Sequence, residues 1–259
     1  MRSKPSQIIL KTPTQIAAMR EWWKYLTELL SILKSTTKIG MTLMEIEQKA
    51  LEYLSQHWLQ SAFYLYQWYP AATCLSLNHC LVHGVPDHTV LRPGDLLKID
   101  MGIKYQGMVT DAAISMIVGG EPHNFAGAQL IEATKNALDE WLKVVGAGAK
   151  MSHFGQIVNH TIKSAGFTVV KTLTGHGVGT SLHEYPHITN YPDKKTSHLT
   201  FKSGMTIALE PITSIRSDDY ITQQWNRRNL YTKYGDLGAQ REYTLVVTDQ
   251  GYEILAGVV

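Results

Sequence analysis

The sequence predicts an α/β fold of the α+β kind, built as two halves on one plan. Three observations predict it. A long and then a short amphipathic helix precede a run of short β-type segments, and this order occurs twice. Single residues match between the two runs, two acids and a histidine among them. The 259 residues are enough for one large core or two modest ones. The halves fall at about 12–120 and 124–250 of a single domain spanning 1–259.

Thr12 or Thr14 is placed to cap a first helix running to about Lys34. Its Ile16, Met19, Trp23, Leu26, Leu30 and Leu33 recur at helical spacing. After Gly40, Thr42 caps a second helix, and Glu45 three residues on completes a capping box. Ile46, Ala50, Tyr53 and Leu54 give that helix one apolar face. A third helix is expected over 125–145, broken by Gly146 and Gly148, and a shorter fourth over 152–164.

The match between halves extends to residues. Val82-His83-Gly84-Val85 resembles Gly175-His176-Gly177-Val178. Leu91 to Asp100 lies over Phe201 to Glu210, so Asp100 falls on Glu210. Met108-Val109-Thr110-Asp111 lies over Ala239-Gln240-Arg241-Glu242, so Asp111 falls on Glu242. Such a repeat implies two similar units facing each other around a shared cleft.

Composition excludes several classes. A hydrophobic share of 44% with 18% charged residues is ordinary for a packed globular chain. A net charge of +2, with Lys and Arg spread along the chain, gives no basic patch for a specific nucleic-acid partner. Cys74 and Cys80 alone cannot staple a fold this size, which points to a reduced, intracellular chain. Residues 1–7 are polar and lack an apolar signal core. The most apolar helical stretch, 22–33, is short and interrupted by Lys24 and Glu28, so no membrane span is expected. A cytoplasmic protein is expected.

Asp100 and Asp111 flank ten residues with strand-like sides, and Gly107 favours a turn near Tyr105-Gln106. A turn centred there sets the two aspartates opposite each other, where like charges repel. Leu96, Leu97 and Ile99 precede Asp100, and Ala112, Ala113 and Ile114 follow Asp111, so both are expected to be buried. Glu210 stands in the equally apolar Thr-Ile-Ala-Leu-Glu-Pro-Ile, and Glu242 precedes Tyr243-Thr-Leu-Val-Val. Buried like charges need cations to stay ionised. Four carboxylates and His176 carry too much charge for one structural zinc, which prefers Cys and His. They suit two divalent ions, and Mn, Fe, Co or Zn all fit such ligands.

These residues resemble the methionine aminopeptidases of the shorter, type I class. Gly175-His176-Gly177-Val178-Gly179, with His183 and Asn190-Tyr191 after it, is similar to the family signature, with Leu173 where Met, Phe or Tyr is usual. The resemblance covers nearly the whole chain from about Thr12. It implies the pita-bread fold, a pseudo-two-fold structure around a dinuclear metal cleft, and it makes the single domain catalytic. The short spacing from His176 to Glu210 has no room for the type II insertion.

By that resemblance Asp100 holds one metal, Asp111 and Glu242 bridge both, and His176 and Glu210 complete the other site. Glu210 is expected to move the proton, His183 to stabilise the oxyanion and His83 to contact the scissile amide. The methionine pocket is expected to include Phe63, Tyr66, Tyr69, Cys74 and Leu182. Phe63 stands where cysteine is common and Tyr243 where histidine is usual, two departures that bear on specificity and on the support of Glu242. The family carries a tryptophan at the cleft rim near 217–238, and whether Trp225 fills that place is left open. The expected activity is removal of the initiator methionine from nascent polypeptides, before a small second residue, by a monomer. A transient ribosome contact is left open. The alternatives are an altered-specificity or inactive relative of the same fold, and an Xaa-Pro aminopeptidase.

Overall fold

A computed structural model describes residues 7–224 and 226–258, so Trp225 lies outside the described residues. The chain opens with α1 (Pro13–Thr36) and α2 (Leu43–Gln56). Both begin with a reciprocal capping box, Thr12 with Gln15 and Thr42 with Glu45, so the second start falls where the sequence puts it and the first falls at Thr12 rather than Thr14. Short strands β1 (Gln60–Ser61), β2 (Cys74–Leu77) and β3 (Cys80–Val82) lead to the long hairpin of β4 (Leu96–Tyr105) and β5 (Met108–Ile117). Then come α3 (Phe125–Leu142) and α4 (Met151–Ser164). The remaining strands are β6 (Thr168–Val169), β7 (Thr174–Gly177), β8 (Glu184–Thr189), β9 (Thr206–Leu209) and β10 (Ile212–Ser214). They are followed by β11 (Tyr220–Gln223), β12 (Asn226–Thr232), β13 (Gly238–Gln240), β14 (Tyr243–Thr248) and β15 (Gly251–Ala256).

Two boundaries differ from expectation. The third helix ends at Leu142 rather than 145, because the Val144 N–H turns back to the Trp141 carbonyl in a tighter final turn. The fourth begins at Met151, one residue early. There Lys150 pairs with Thr200 and the Met151 N–H donates to Leu199, so a β-bridge does the work of a side-chain cap.

The β4–β5 hairpin pairs ten residues a side, from Leu96 with Ile117 to Tyr105 with Met108. Its two-residue turn is Gln106-Gly107, with φ of 47° and 78°. Two positive φ values make the turn whose twist matches a β-hairpin. The turn therefore sits one residue later than the expected Tyr105-Gln106, and this corrects the pairing. Asp100 opposes Ala113 and Asp111 opposes Gly102, so the aspartates are diagonal neighbours on one face rather than direct partners.

A second ladder runs through two sheets in a single register. Leu209 opposes Tyr243, and beyond a gap Ile212 opposes Gln240. The gap holds Glu210-Pro211 on one side and Arg241-Glu242 on the other. Pro211 has no N–H to give the ladder, so the pairing opens there. Strand β7 joins β9 with His176 opposite Ala208. The two ladders are stitched at alternate residues. The Asp111 N–H donates to Thr244 Oγ1 at 2.8 Å, Glu242 and Ala113 form a β-bridge, and Ser115 Oγ donates to the Gln240 carbonyl at 2.7 Å.

Helices cover the outer faces. Leu26, Leu30 and Ile46 of α1 and α2 pack on Ile99, Met101 and Ile114. Leu138, Trp141 and Phe154 of α3 and α4 pack on Ile207, Leu209 and Leu245. Side chains alternate across a strand. With Ile99 and Met101 turned to the helices, Asp100 faces the seam between the ladders. Among the described residues no helix is long and apolar enough to cross a membrane.

Candidate metal centre

The seam opens into a cavity of about 370 Å³, and all twelve residues expected at the site line it. Asp100 and Asp111 reach it from the β4–β5 hairpin, Glu210 and Glu242 from the gap in the second ladder, and His176 from β7. The glycines beside His176 have a steric reason. A Cβ on Gly175 would stand 2.5 Å from the Ala208 carbonyl oxygen, and one on Gly177 would stand 2.7 Å from that of Tyr185. Only glycine lets β7 press this closely on its neighbours.

The imidazole has a defined orientation. His176 Nδ1 lies 2.9 Å from the Gly177 carbonyl oxygen, which only accepts, so the proton sits on Nδ1. Nε2 is then a lone pair facing the acids, 3.4 Å from Glu210 Oε1 and 3.9 Å from Asp111 Oδ2. Ligand atoms of Asp111, His176 and Glu242 all lie within 4.8 Å of one another. A nitrogen lone pair set among carboxylate oxygens repels them unless a metal cation or a retained proton lies between.

The acids make the same demand. Asp100, Asp111 and Glu242 are buried and Glu210 nearly so. Burial lifts every one of their pKa values, that of Asp100 to about 7 and those of Asp111, Glu210 and Glu242 well above the usual carboxyl range. Mutual repulsion adds to the last three, with Asp100 the largest neighbour for Asp111 and Glu210, and Asp111 for Glu242. Asp100 Oδ1, Asp111 Oδ1 and Glu242 Oε1 are buried without a hydrogen-bond partner. Buried acceptors in that state are costly unless a ligand meets them. The donor set, hard oxygens with one imidazole nitrogen, fits divalent cations.

Sequence reasoning missed Gln240. Its amide nitrogen donates to Asp100 Oδ2 at 3.3 Å and to Glu210 Oε2 at 3.4 Å, which ties one acid from each ladder. The available signal was a polar residue two positions before Glu242, on the same face of the chain. The lining also includes Gln67, Val82, Arg227, Arg228 and Leu230, which were not anticipated.

His183 stands beside the centre, its ring 4.3 Å from that of His176, and its Nδ1 meets the Tyr66 hydroxyl at 2.9 Å. His83 opens on the cavity mouth from a backbone with φ of 60°, and lost hydration between the walls lowers its pKa. An apolar recess adjoins the acids. Phe63, Tyr69, Cys74 and Leu182 are buried in its wall and Tyr66 is half-buried. Phe63 meets Tyr69 edge to face with centroids 6.5 Å apart. Glu47 of α2 holds the approach to Cys74, accepting from the N–H groups of Ala72 and Thr73 at 2.6 and 3.0 Å.

The two departures have separate consequences. Phe63 lies in the recess wall, against Gly102, where a Cβ would stand 3.2 Å from its ring. Tyr243 turns away from Glu242 into the second core, and its hydroxyl pairs with Arg241 and the Val258 carbonyl. It does not support the glutamate. Leu173 packs beside Val170 and Ile212, and its carbonyl shares the Asn190 amide with that of Glu210.

Comparison with known proteins gives the family. The model of metallopeptidase family M24 matches residues 17–249. A methionine aminopeptidase of Staphylococcus epidermidis is 34% identical over 245 residues, which are 94% of this chain and 96% of that protein. One from Escherichia coli is 32% identical over 253 residues, 96% of this chain and 93% of its own length. The crystal structure of the Thermotoga maritima methionine aminopeptidase superposes with a TM-score of 0.92 at 32% identity, covering 97% of this chain and all of that one. A prolidase from Pyrococcus horikoshii shares the fold at a TM-score of 0.77 and 21% identity, but this chain spans only 64% of it. The fold is thus the pita-bread fold common to both enzyme groups, and the chain belongs to metallopeptidase family M24, among the methionine aminopeptidases.

Proposed function

We propose that this chain removes the N-terminal methionine of nascent polypeptides, in the cytoplasm and as a monomer, using two divalent cations drawn from Mn, Fe, Co or Zn. One observation carries the reading. Five ligand-type side chains converge with orphaned carboxylate oxygens beside an apolar recess, all supplied by one chain. Asp100, Asp111, His176, Glu210 and Glu242 would hold the metals. When bound, such cations supply an activated water near neutral pH.

The chain's own groups do the rest. The apolar recess of Phe63, Tyr66, Tyr69, Cys74 and Leu182 takes the methionine side chain. The free α-amine end would bind at the metal centre that the acids form, which restricts cutting to N-termini. Glu210, the least buried of the four acids, passes a proton through its carboxylate toward the leaving amine. His183, steadied by Tyr66, donates to the developing oxyanion. His83 contacts the scissile amide at the mouth. The same reading takes 12–120 and 124–250 as two copies of one plan, each giving two strands and two acids to the seam.

The test is release of methionine from Met-Ala-Ser by metal-stripped protein as Mn, Co, Fe or Zn is added back. Metal-dependent release is expected, with Xaa-Pro peptides left uncut. Asp111→Ala and Glu242→Ala should abolish it through loss of metal, whereas His183→Ala should slow turnover at unchanged metal content. No release with two ions bound would reject the activity and point to the recess around Phe63.

A further inference from the structure

The cavity is electrically polarised. Its floor is four carboxylates, while Arg227 and Arg228 at its mouth are exposed on β12. Strand β12 is held beside the catalytic wall, with Leu230 paired to Val82, next to His83. Across the mouth stands the segment of Tyr66 to Trp68, in which Gln67 and Trp68 have φ of 48° and 66°. Left-handed backbone in two successive non-glycine residues is rare and clusters at ligand sites. Here it presents the Trp68 carbonyl to Arg228, whose Nη2 donates to it at 3.1 Å. That bond holds one edge of the guanidinium at the opening and ties the two lips together.

We propose that Arg227 and Arg228 recognise a carboxylate on the substrate beyond the scissile bond, either the C-terminus of a short peptide or an acidic side chain a residue or two past the cut. The inference rests on the aminopeptidase reading, which fixes the polarity of the bound peptide. The amine end lies at the metal centre, so the downstream chain leaves by the mouth. Each residue of an extended peptide adds about 3.3–3.6 Å, which carries the third residue out of the recess. A guanidinium is a planar fork of donors that matches a carboxylate, and its charge is fixed at every working pH. A peptide with an amine at one end and a carboxylate two residues on is therefore complementary to both ends of the cleft.

The experiment compares kcat/KM of Mn-loaded protein on Met-Ala-Ser, on its C-terminal amide, and on Met-Ala-Asp amide. Wild type should cut the free acid and the aspartyl amide each at least fivefold better than Met-Ala-Ser amide, and 0.5 M salt should shrink the preference. In R227A/R228A the three rates should fall within twofold of one another. A preference for the free acid alone would assign the site to peptide C-termini, and one for the aspartyl amide alone to acidic side chains. Equal rates in wild type, or the same preference in the variant, would overturn the arginine role and leave the aminopeptidase standing. If none of the peptides is cut with Mn, Co, Fe or Zn, both readings fall. The wild-type comparison decides even where the variant does not fold.

Discussion

Gln240 is a single amide that neutralises nothing, yet it donates to an acid on each ladder. Removing it leaves Asp100 and Glu210 to repel each other without a shared donor. Partners that orient metal ligands typically matter ten- to a hundredfold in affinity. Gln240→Leu should weaken metal binding by about that factor, read by competition with a chelator, while the protein stays folded. Unchanged affinity would show that the ligands hold their own positions. Lys98 is the other buried residue of consequence. It is enclosed on the same face of β4 as Asp100 and donates to the Asn78 carbonyl at 2.8 Å. Burial lowers its pKa to about 7. A base with a depressed folded pKa binds fewer protons folded than unfolded, so its contribution is present above the unfolded pKa of about 10.4 and lost as pH falls through 7. With the metal centre saturated, so that the acids stay ionised, stability should rise between pH 7 and 10 in wild type, and Lys98→Met should flatten that rise in denaturant titrations at stepped pH. Neither residue was legible in the sequence. An amide or a lysine amid apolar neighbours reads the same whether it faces solvent, a carbonyl or an acid, whereas four acids in apolar runs could be satisfied in few ways.

Among the elements, the loop carrying Leu182 and His183 is held from an unexpected direction. Glu184 Oε1 accepts from the N–H groups of Thr180 and Ser181 at 2.6 and 3.1 Å, and its other oxygen pairs with Lys11 in a nearly dry ion pair. Lys11 is fixed in turn by its N–H on Gly204. The segment before α1 is thus a strut beneath the candidate oxyanion residue. Breaking a buried pair by removing one partner typically costs about 3–5 kcal/mol. Lys11→Met should lose an amount of that order in urea unfolding, and the double change Lys11→Met with Glu184→Gln should lose clearly less, because no charge is stranded. Equal losses would mean that packing, not the pair, holds the loop. A contact between residues 11 and 184 leaves no local trace in sequence, whereas a capping box is complete within four residues, which is why the start at Thr42 was legible while Thr12 stood beside Thr14 as an equal candidate. The hairpin shows the intermediate case. Its strands were plain, but Gln106 adopts a backbone that favours glycine, and moving the turn by one residue shifted Asp111 by two across from Asp100.

At the scale of the whole molecule, the candidate ligands join two ladders that each have their own helices and core. Asp100 and Asp111 belong to one, His176, Glu210 and Glu242 to the other. Without cations the seam concentrates repulsion where the halves meet, and the protein relieves it by keeping protons. A carboxyl whose folded pKa is raised binds more protons folded than unfolded. Its contribution is therefore fully present below the unfolded pKa near 4 and is lost as pH rises through the folded value. For Asp100 that value is about 7, and burial and mutual repulsion lift its three partners well above the usual carboxyl range as well. Metal-stripped protein should accordingly lose stability between pH 4.5 and 7, the window below the rise assigned to Lys98. Metal binding inverts the sign, because cations compete with those protons and bind the ionised acids. At a free concentration a hundredfold above Kd, a bound ion stabilises by about 2.7 kcal/mol, and this gain should grow with pH. Melting curves of stripped and Mn-saturated protein across that window would show a falling line and a level or rising one. Parallel lines would mean that the acids are solvated in the stripped protein and that the ladders open there before the cores do.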